Sequence, residues 1–254
     1  MANLFWLTKA QIERISRDFP LSHGVPRVDD QRVVSGIIHV IRNGLRWRDA
    51  PAEYGPHKTL YNRFVRWSRM GVFNRIFAGL AGRKGQPGRL MIDATHLKAH
   101  RTAASLLKKG LFPRPIGRTK GGLNSKLHVV SDGDGRPLVM LLSEGQMSDH
   151  KGAALMLDAL PPPRILIGDK GHDSNRFRQA LTARGIEPCI PSHRGRKQRI
   201  VHDRKLYRQR HRIENMFGRL KDWRRIVMRH DRCAHTFMSA ICLAAAILFW
   251  INEP

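Results

Sequence analysis

Residues 88–97 read GRLMIDATHL. Leu90, Met91 and Ile92 form a short apolar run that predicts a β-strand, and Asp93 stands at its end. Farther along, RILIGD (164–169) repeats the pattern, an apolar strand followed by Asp169. Between the two, SKLHVVSDGDGRPLVMLLSEG (125–145) predicts a hairpin, two β-rich runs around a DGDG turn. SDHKGAALMLDAL (148–160) predicts a helix with Ser148 or Asp149 as N-cap. SNRFRQALTARG (174–185) predicts a second helix that stops at Gly185, and IEPCIP (186–191) a short strand. A basic loop, HRGRKQR (193–199), then leads to a helix over 207–221 and a last apolar helix.

The order is three strands, helix, strand, helix, strand, helix. That is the order of ribonuclease-H-like α/β folds, a mixed sheet flanked by helices, although other α/β layouts share it. In open α/β sheets, sites gather at the carboxyl ends of parallel strands. If the strands ending in Asp93 and Asp169 are adjacent and parallel, their carboxylates lie side by side. A divalent cation relieves the repulsion between them, and Mg²⁺ prefers such oxygen donors. Each Asp taken alone is equally well explained as a turn or helix-cap residue.

A third carboxylate stands in YRQRHRIENMFGRLK (207–221), where Glu214 is the one acid among six basic side chains. At about 100° per residue, Tyr207, Arg210, Glu214 and Lys221 share an arc of roughly 60°, beside an apolar face of Leu206, Ile213 and Phe217. Glu214 could complete a two-metal site for phosphodiester chemistry. Arg and Lys suit phosphate, and Tyr can stack or donate. The competing reading is an intrahelical ion pair between Glu214 and Arg210 on a solvated helix.

The first part of the chain is read as helical. LTKAQIERISRDF (7–19) has Thr8 as N-cap, and DDQRVVSGIIHVIRNG (29–44) has an acidic start and Gly44 as a stop. KTLYNRFVRWSRMG (58–71) sets Leu60, Tyr61, Phe64 and Trp67 on one side, with Lys58, Arg63, Arg66 and Arg69 largely elsewhere. Three short helices ending in a basic, aromatic one predict a small all-α, helix-turn-helix-like DNA-binding domain, and a plain helical bundle fits the same spacing. GRKGQPGR (82–89) reads as a linker. The expected division is residues 1–84 and 85–254, with a basic insertion at about 98–122 whose Lys108, Lys109, Arg114, Arg118 and Lys120 suit a mobile loop that clamps DNA or a solvated surface loop.

Charge points to the partner. Lys and Arg total 46 against 20 Asp and Glu, a formal net charge of +26. Self-repulsion of that size favours a polyanion, with nucleic acid ahead of a membrane surface. Three cysteines with no CxxC pair fit a reducing compartment and argue against a cysteine zinc site. His128 and His150 have no partner at zinc spacing. The N-terminus does not read as a signal peptide, and the apolar stretch 237–251 is short for a membrane span and reads as a buried core helix. Asp132 and Asp134 are expected to serve the hairpin turn, and Asp173 and Ser174 to cap the following helix. Trp47 and Trp67 are expected in the core. Arg194, Arg196, Lys197 and Arg199 suit either a DNA clamp or a solvated loop.

The pattern YxxRxxxExxxxxxK, filled by Tyr207, Arg210, Glu214 and Lys221, resembles the signature around the catalytic Glu of bacterial insertion-sequence transposases. MIDATHLKAHR and LIGDKGHDS resemble the segments around that family's two catalytic Asp residues. More narrowly, the chain is similar to the insertion sequence 5 family. GRTKGGLNSKLHVV (117–130) resembles its basic Gly-Gly segment, and VDDQRVVSGIIHVIRNGLRWRDAP and YGPHKTLYNRFVRWSRMGVF resemble its N-terminal domain.

The resemblance implies a DDE transposase with a ribonuclease-H-like catalytic domain. Asp93, Asp169 and Glu214 would bind two Mg²⁺ ions, with Mn²⁺ as a substitute. Double-stranded DNA, as terminal inverted repeats and target, would be the partner. Tyr207, Arg210, Lys221, Arg118, Lys120 and Lys126 would contact it in the catalytic domain, and Lys58, Arg63 and Arg66 in the N-terminal one. Synapsis of two ends implies a homodimer or larger assembly, with no membrane, in the bacterial cytoplasm at the nucleoid. The family often carries Tyr where this chain has His172, so the role of that position is open. The other functions weighed are a catalytically inactive DNA-binding protein and a nuclease that does not join.

Overall fold

The computed structural model describes residues 4–22, 27, 29–82, 87–105 and 115–253. Lys108, Lys109, Arg114 and part of the expected linker, residues 83–86, lie outside the described residues. Among the described residues, four α-helices precede the first strand: α1 (Lys9–Ser16), α2 (Asp30–Asn43), α3 (His57–Arg69) and α4 (Val72–Ala81). Local chemistry sets their ends. Thr8 Oγ1 accepts from the Gln11 backbone N–H at 3.2 Å while the Gln11 side chain accepts from the Thr8 N–H at 2.9 Å, a reciprocal cap. Gly44 stops α2 in the left-handed region at φ 69°, a conformation that a side chain would strain. The sequence reading did not anticipate α4, although Val72, Phe73, Ile76, Phe77 and Leu80 are spaced for a helix and are buried.

The second run of elements holds β1 (Arg89–Ala99), β2 (Gly117–Thr119), β3 (Gly122–Asp132) and β4 (Pro137–Glu144). It continues through α5 (Asp149–Met156), β5 (Ile165–Gly168), α6 (Asn175–Thr182), β6 (Glu187–Cys189) and α7 (His211–Lys221), and α8 (Ala234–Ala245) follows. β3 pairs antiparallel with β1 on one side and with β2 and β4 on the other. β1 pairs parallel with β5, and β5 parallel with β6. The sheet is therefore mixed, and β1 is where it changes from antiparallel to parallel. This is the ribonuclease-H-like arrangement expected from the element order.

The chain forms two compact units. One comprises Met1–Ala81, His100–Arg114 and Leu220–Pro254, and the other Gly82–Ala99 and Pro115–Arg219. The division thus differs from a single cut near residue 84. In the helical unit, α8 packs against α2, α3 and α4, and Phe237, Ala240 and Ile241 are buried like Val34, Ile38, Phe64 and Phe73. The apolar run at 237–251 is thus core, as expected, since a helix that is apolar all round has no face to offer water. Trp67 is buried there too, and Trp47 lies against Phe64 with ring centroids 5.1 Å apart.

In the sheet unit, Leu90 and Ile92 of β1, Val130 of β3 and Leu166 of β5 share one core cluster with Ala153, Met156, Phe177 and Leu181 of α5 and α6. Strand side chains alternate between faces. With Leu90, Ile92 and Leu166 on the α5–α6 face, Asp93 and Asp169 fall on the opposite one.

Candidate active site

Register brings the two aspartates together. Ile92 pairs with Gly168 across β1 and β5, so Asp93 of β1 and Asp169, the first residue after β5, are the next residues along the two parallel chains. Gly168 permits the close approach, since a Cβ there would sit 3.1 Å from Ile92 Cγ2. Asp93 Oδ1 accepts from the Ala94 N–H at 2.8 Å, and its Oδ2 accepts from Arg210 Nη1 at 2.6 Å. Burial lifts the Asp93 pKa above the ordinary value, with the Asp169 charge adding to it and Arg210 opposing. Asp169 is shaped differently. Its Oδ1 accepts from His172 Nδ1 at 2.7 Å and from the Gly171 N–H at 2.9 Å. Burial pushes its pKa up, but the His172 hydrogen bond and charge, Arg210 and the Gly171 N–H outweigh it and hold Asp169 below the ordinary value.

Glu214 sits in the first turn of α7 with its side chain half exposed. It accepts from Arg210 Nη2, so one guanidinium bridges Asp93 and Glu214. Charge from Asp93 and Glu214 raises the Arg210 pKa in spite of burial. The expected single helix over 207–221 is instead a short helical turn at Arg204–Tyr207, a 3₁₀ turn at Arg208–Arg210 and then α7. The tighter 3₁₀ turn changes the phase of Tyr207 and Arg210 relative to Glu214. The Tyr207 ring still lies 6.0 Å from the Arg210 guanidinium carbon.

The donor chemistry fits a divalent cation at Asp93 and Asp169, two neighbouring oxygen ligands of like charge. Glu214 is drawn to Arg210. Among the described residues, no three acidic, imidazole or thiol groups gather as a metal centre.

The structure separates the expected DNA-contacting residues into two sets. Arg118, Lys120, Lys58 and Arg66 are exposed, and Lys221 is half-buried at the end of α7. Lys126 is not offered to a partner. Its side chain is buried, with Nζ 2.6 Å from Asp149 Oδ1 at the start of α5 and donating to the Met147 carbonyl at 2.9 Å. Arg63 is likewise engaged within the helical unit, paired with Asp30 and 4.9 Å over the Trp67 ring.

Asp132 serves the hairpin turn as expected, accepting from the Asp134 and Arg136 N–H groups at 3.0 and 2.9 Å. Ser174 caps α6, its Oγ accepting from the Phe177 N–H at 3.1 Å. Asp173 does not cap. Its side chain is fully buried and bound to Arg178 and Arg196. Sequence reasoning missed that role, and the one available signal was an acid next to a Ser already sufficient as cap. His172, left open by the sequence, is the buried partner of Asp169.

Residues 7–77 match a family model described as "Putative transposase of IS4/5 family", and residues 84–250 match one described as "Transposase DDE domain". The chain is 31% identical over 192 residues to "Putative transposase for insertion sequence element IS402" of Burkholderia cepacia, covering 71% of this chain and 86% of that protein. It is 31% identical over 132 residues to "Putative transposase for insertion sequence element IS6501" of Brucella ovis, covering 51% of this chain and all of that protein (100%). Among solved structures, the piggyBac transposase synaptic complex with hairpin DNA is similar in fold. Its TM-score is 0.55 at 8% identity, over 94% of this chain and 69% of that one.

Proposed function

The chain belongs to the DDE transposases of insertion sequences, and from that membership we propose that Asp93, Asp169 and Glu214 are its catalytic carboxylates, acting at the terminal inverted repeats of its element. The family is enzymatic: its members cleave DNA and transfer strands, and they use divalent metal ions. The observation that carries the residue assignment is the β1–β5 register, which puts Asp93 beside Asp169 on the face opposite the α5–α6 core.

The three carboxylates would hold two Mg²⁺ ions, or Mn²⁺ in their place, which when bound supply Lewis acidity to the attacking and leaving oxygens of a phosphodiester. His172 keeps Asp169 in one orientation and favours its ionised form, whereas Arg210 orients Asp93 and only partly offsets the burial that raises its pKa. Arg210 also restrains Glu214, and a DNA phosphate competing for that guanidinium would free Glu214 to turn toward the aspartates. Water attack at the element's end leaves a 3′-OH, which then attacks target DNA. No covalent protein intermediate is involved, so positioning and electrostatics carry the rate. In this reading α3 presents Lys58 and Arg66 to the terminal repeats, Tyr207, Lys221, Arg118 and Lys120 contact DNA near the cut, and two copies or more hold paired ends in the bacterial cytoplasm.

The test is an assay of cleavage and 3′-end joining on labelled duplexes carrying both element ends, with Mg²⁺ or EDTA. Metal-dependent joining by the native protein, lost in Asp93→Asn, Asp169→Asn and Glu214→Gln while DNA binding persists, is the expected result. Normal joining by Glu214→Gln removes Glu214 from the triad. Cleavage without joining makes the protein a nuclease, and binding alone makes it an inactive DNA binder.

A further inference from the structure

The loop of residues 192–200 stands outside the carboxylate triad and is built as a closed unit. Ser192 Oγ accepts from the Ile200 N–H at 2.7 Å and donates to the Ile200 carbonyl at 3.3 Å, which ties its neck. Within it, the Arg196 N–H donates to the His193 carbonyl at 3.1 Å, and the Gly195 N–H to His193 Nδ1 at 3.1 Å. The loop is fastened from below by Asp173, whose side chain is fully buried. Asp173 Oδ2 accepts from the His193 N–H at 2.6 Å and Arg196 Nε at 2.8 Å. Its Oδ1 accepts from Arg196 Nη2 at 2.8 Å and Arg178 Nε at 2.7 Å. Arg196 Nη1 reaches Asn175 Oδ1 at 2.7 Å, and Arg178 Nη2 donates to the Ile190 carbonyl at 2.6 Å. The fork between Arg196 and the carboxylate fixes direction as well as distance.

This bonding sorts the four cations of the loop. Arg196 is turned inward, whereas Arg194, Lys197 and Arg199 are exposed, and residues 193–199 contain no acid. A cavity of about 630 Å³ opens between the loop and the start of α6, lined by Ser174, Asn175, His193, Arg196 and Lys197. Asp173 follows Asp169 by a single 3₁₀ turn, Lys170–His172, so the loop is anchored beside the catalytic strand end. A merely solvated basic loop needs no such anchoring. Cations held in place before binding lose less entropy when a phosphate arrives.

We propose that the loop is a phosphate clamp: Arg194, Lys197 and Arg199 grip the DNA backbone next to the phosphodiester processed at Asp93 and Asp169, and Asp173 is the positioning residue that holds the clamp in shape. The proposal rests on the transposase reading and adds to it a dedicated site for the strand beside the cut, together with the residue that organises it.

The test measures binding of the full-length protein to an element-end duplex across a series of KCl concentrations. Removing three phosphate contacts in Arg194→Ala/Lys197→Ala/Arg199→Ala should lessen the slope of log affinity against log salt by roughly 2–3, at about 0.9 per contact. The control Lys151→Ala/Arg164→Ala, which removes two exposed charges elsewhere in the unit, should change it by less than ~1. Asp173→Asn and, as a milder variant, Arg196→Ala keep the exposed charges and release the loop. Both should speed trypsin cleavage within residues 194–199 by ~10-fold and weaken DNA binding. An unchanged slope in the triple variant, while the native protein binds the duplex, overturns the clamp. So do native loop proteolysis and native DNA affinity in both releasing variants. If the slope falls as expected but the native protein joins no ends under any metal, the transposase reading fails and the clamp stands as a DNA-binding loop.

Discussion

Single residues carry the pH behaviour of this protein. The Asp173 pKa is held at about 2: burial pushes it up, but Arg196, the His193 N–H and Arg178 outweigh that, against an ordinary value of 3.8. Its folded value lies below the unfolded one, so its contribution is complete above pH 3.8 and is lost as pH falls from 3.8 toward 2. The gap amounts to about 2 kcal/mol at 1.36 kcal/mol per pH unit. Asp173→Asn should lose that and also leave Arg178 short of a partner, so a total cost of roughly 2–4 kcal/mol is expected in denaturant unfolding at pH 7. His128 acts higher on the scale. It is buried on β3 with its Nε2 2.9 Å from Ser143 Oγ, and burial with the nearby Lys126 charge lowers its pKa from 6.5 to about 4. The unfolded chain binds that proton more readily, so stability should fall as pH drops from 6.5 toward 4. His128→Gln should flatten the pH dependence of the melting temperature in that window. Asp93 has the opposite sign. Its folded pKa is raised, so its ionised form opposes folding once pH exceeds the folded value, and Asp93→Asn should melt slightly higher at pH 7 in the absence of metal while losing cleavage.

At the scale of elements, the decisive property is which face a strand presents. Leu90 and Ile92 belong to the core shared with α5 and α6, and alternation alone then sends Asp93 to the other side. The same holds for Leu166 and Asp169 across the parallel register. The helices press closely on this sheet. A Cβ on Gly152 of α5 would fall 2.2 Å from His128 Cε1, so Gly152→Ala must push α5 off β3. Overpacking of this kind costs roughly 1–3 kcal/mol, and thermal unfolding of the variant checks it. Most elements were legible in the sequence because they depend on local signals. Thr8 with Gln11, Asp29 with Gly44, and the DGDG turn each mark an end by chemistry within a few residues. The break at Arg208–Arg210 was not legible, since a run of Arg, Gln and Arg suits an α-helix as well as a 3₁₀ turn. Nor was the fate of Lys126, whose neighbours in sequence say nothing of the Asp149 carboxylate 23 residues on.

For the molecule as a whole, charge dominates. A net charge of +26 predicts steep loss of DNA affinity with salt. A slope steeper than about −5 is expected, roughly six phosphates neutralised. A titration of element-end duplex between low and physiological salt measures it, and a slope near zero would show that the charge does not face DNA. No described helix is long and apolar enough to cross a membrane, and the one strongly apolar run, at 237–251, is buried in the helical unit. That unit is assembled from both ends of the chain, with α8 closing over α2, α3 and α4.

The sequence by itself determined most of the element order and the polyanionic class of partner, and it singled out Asp93, Asp169 and Glu214 as candidate carboxylates, because periodicity, composition and motif are properties of neighbouring residues. Tertiary structure alone decided which charges are free to act. Register set Asp93 against Asp169, Arg210 bridged Asp93 to Glu214, Asp149 engaged Lys126, and Asp173 divided the loop's cations into one anchor and three exposed. Burial and pairing of a charge depend on groups brought from distant positions by the fold, and no local pattern of residue types encodes them.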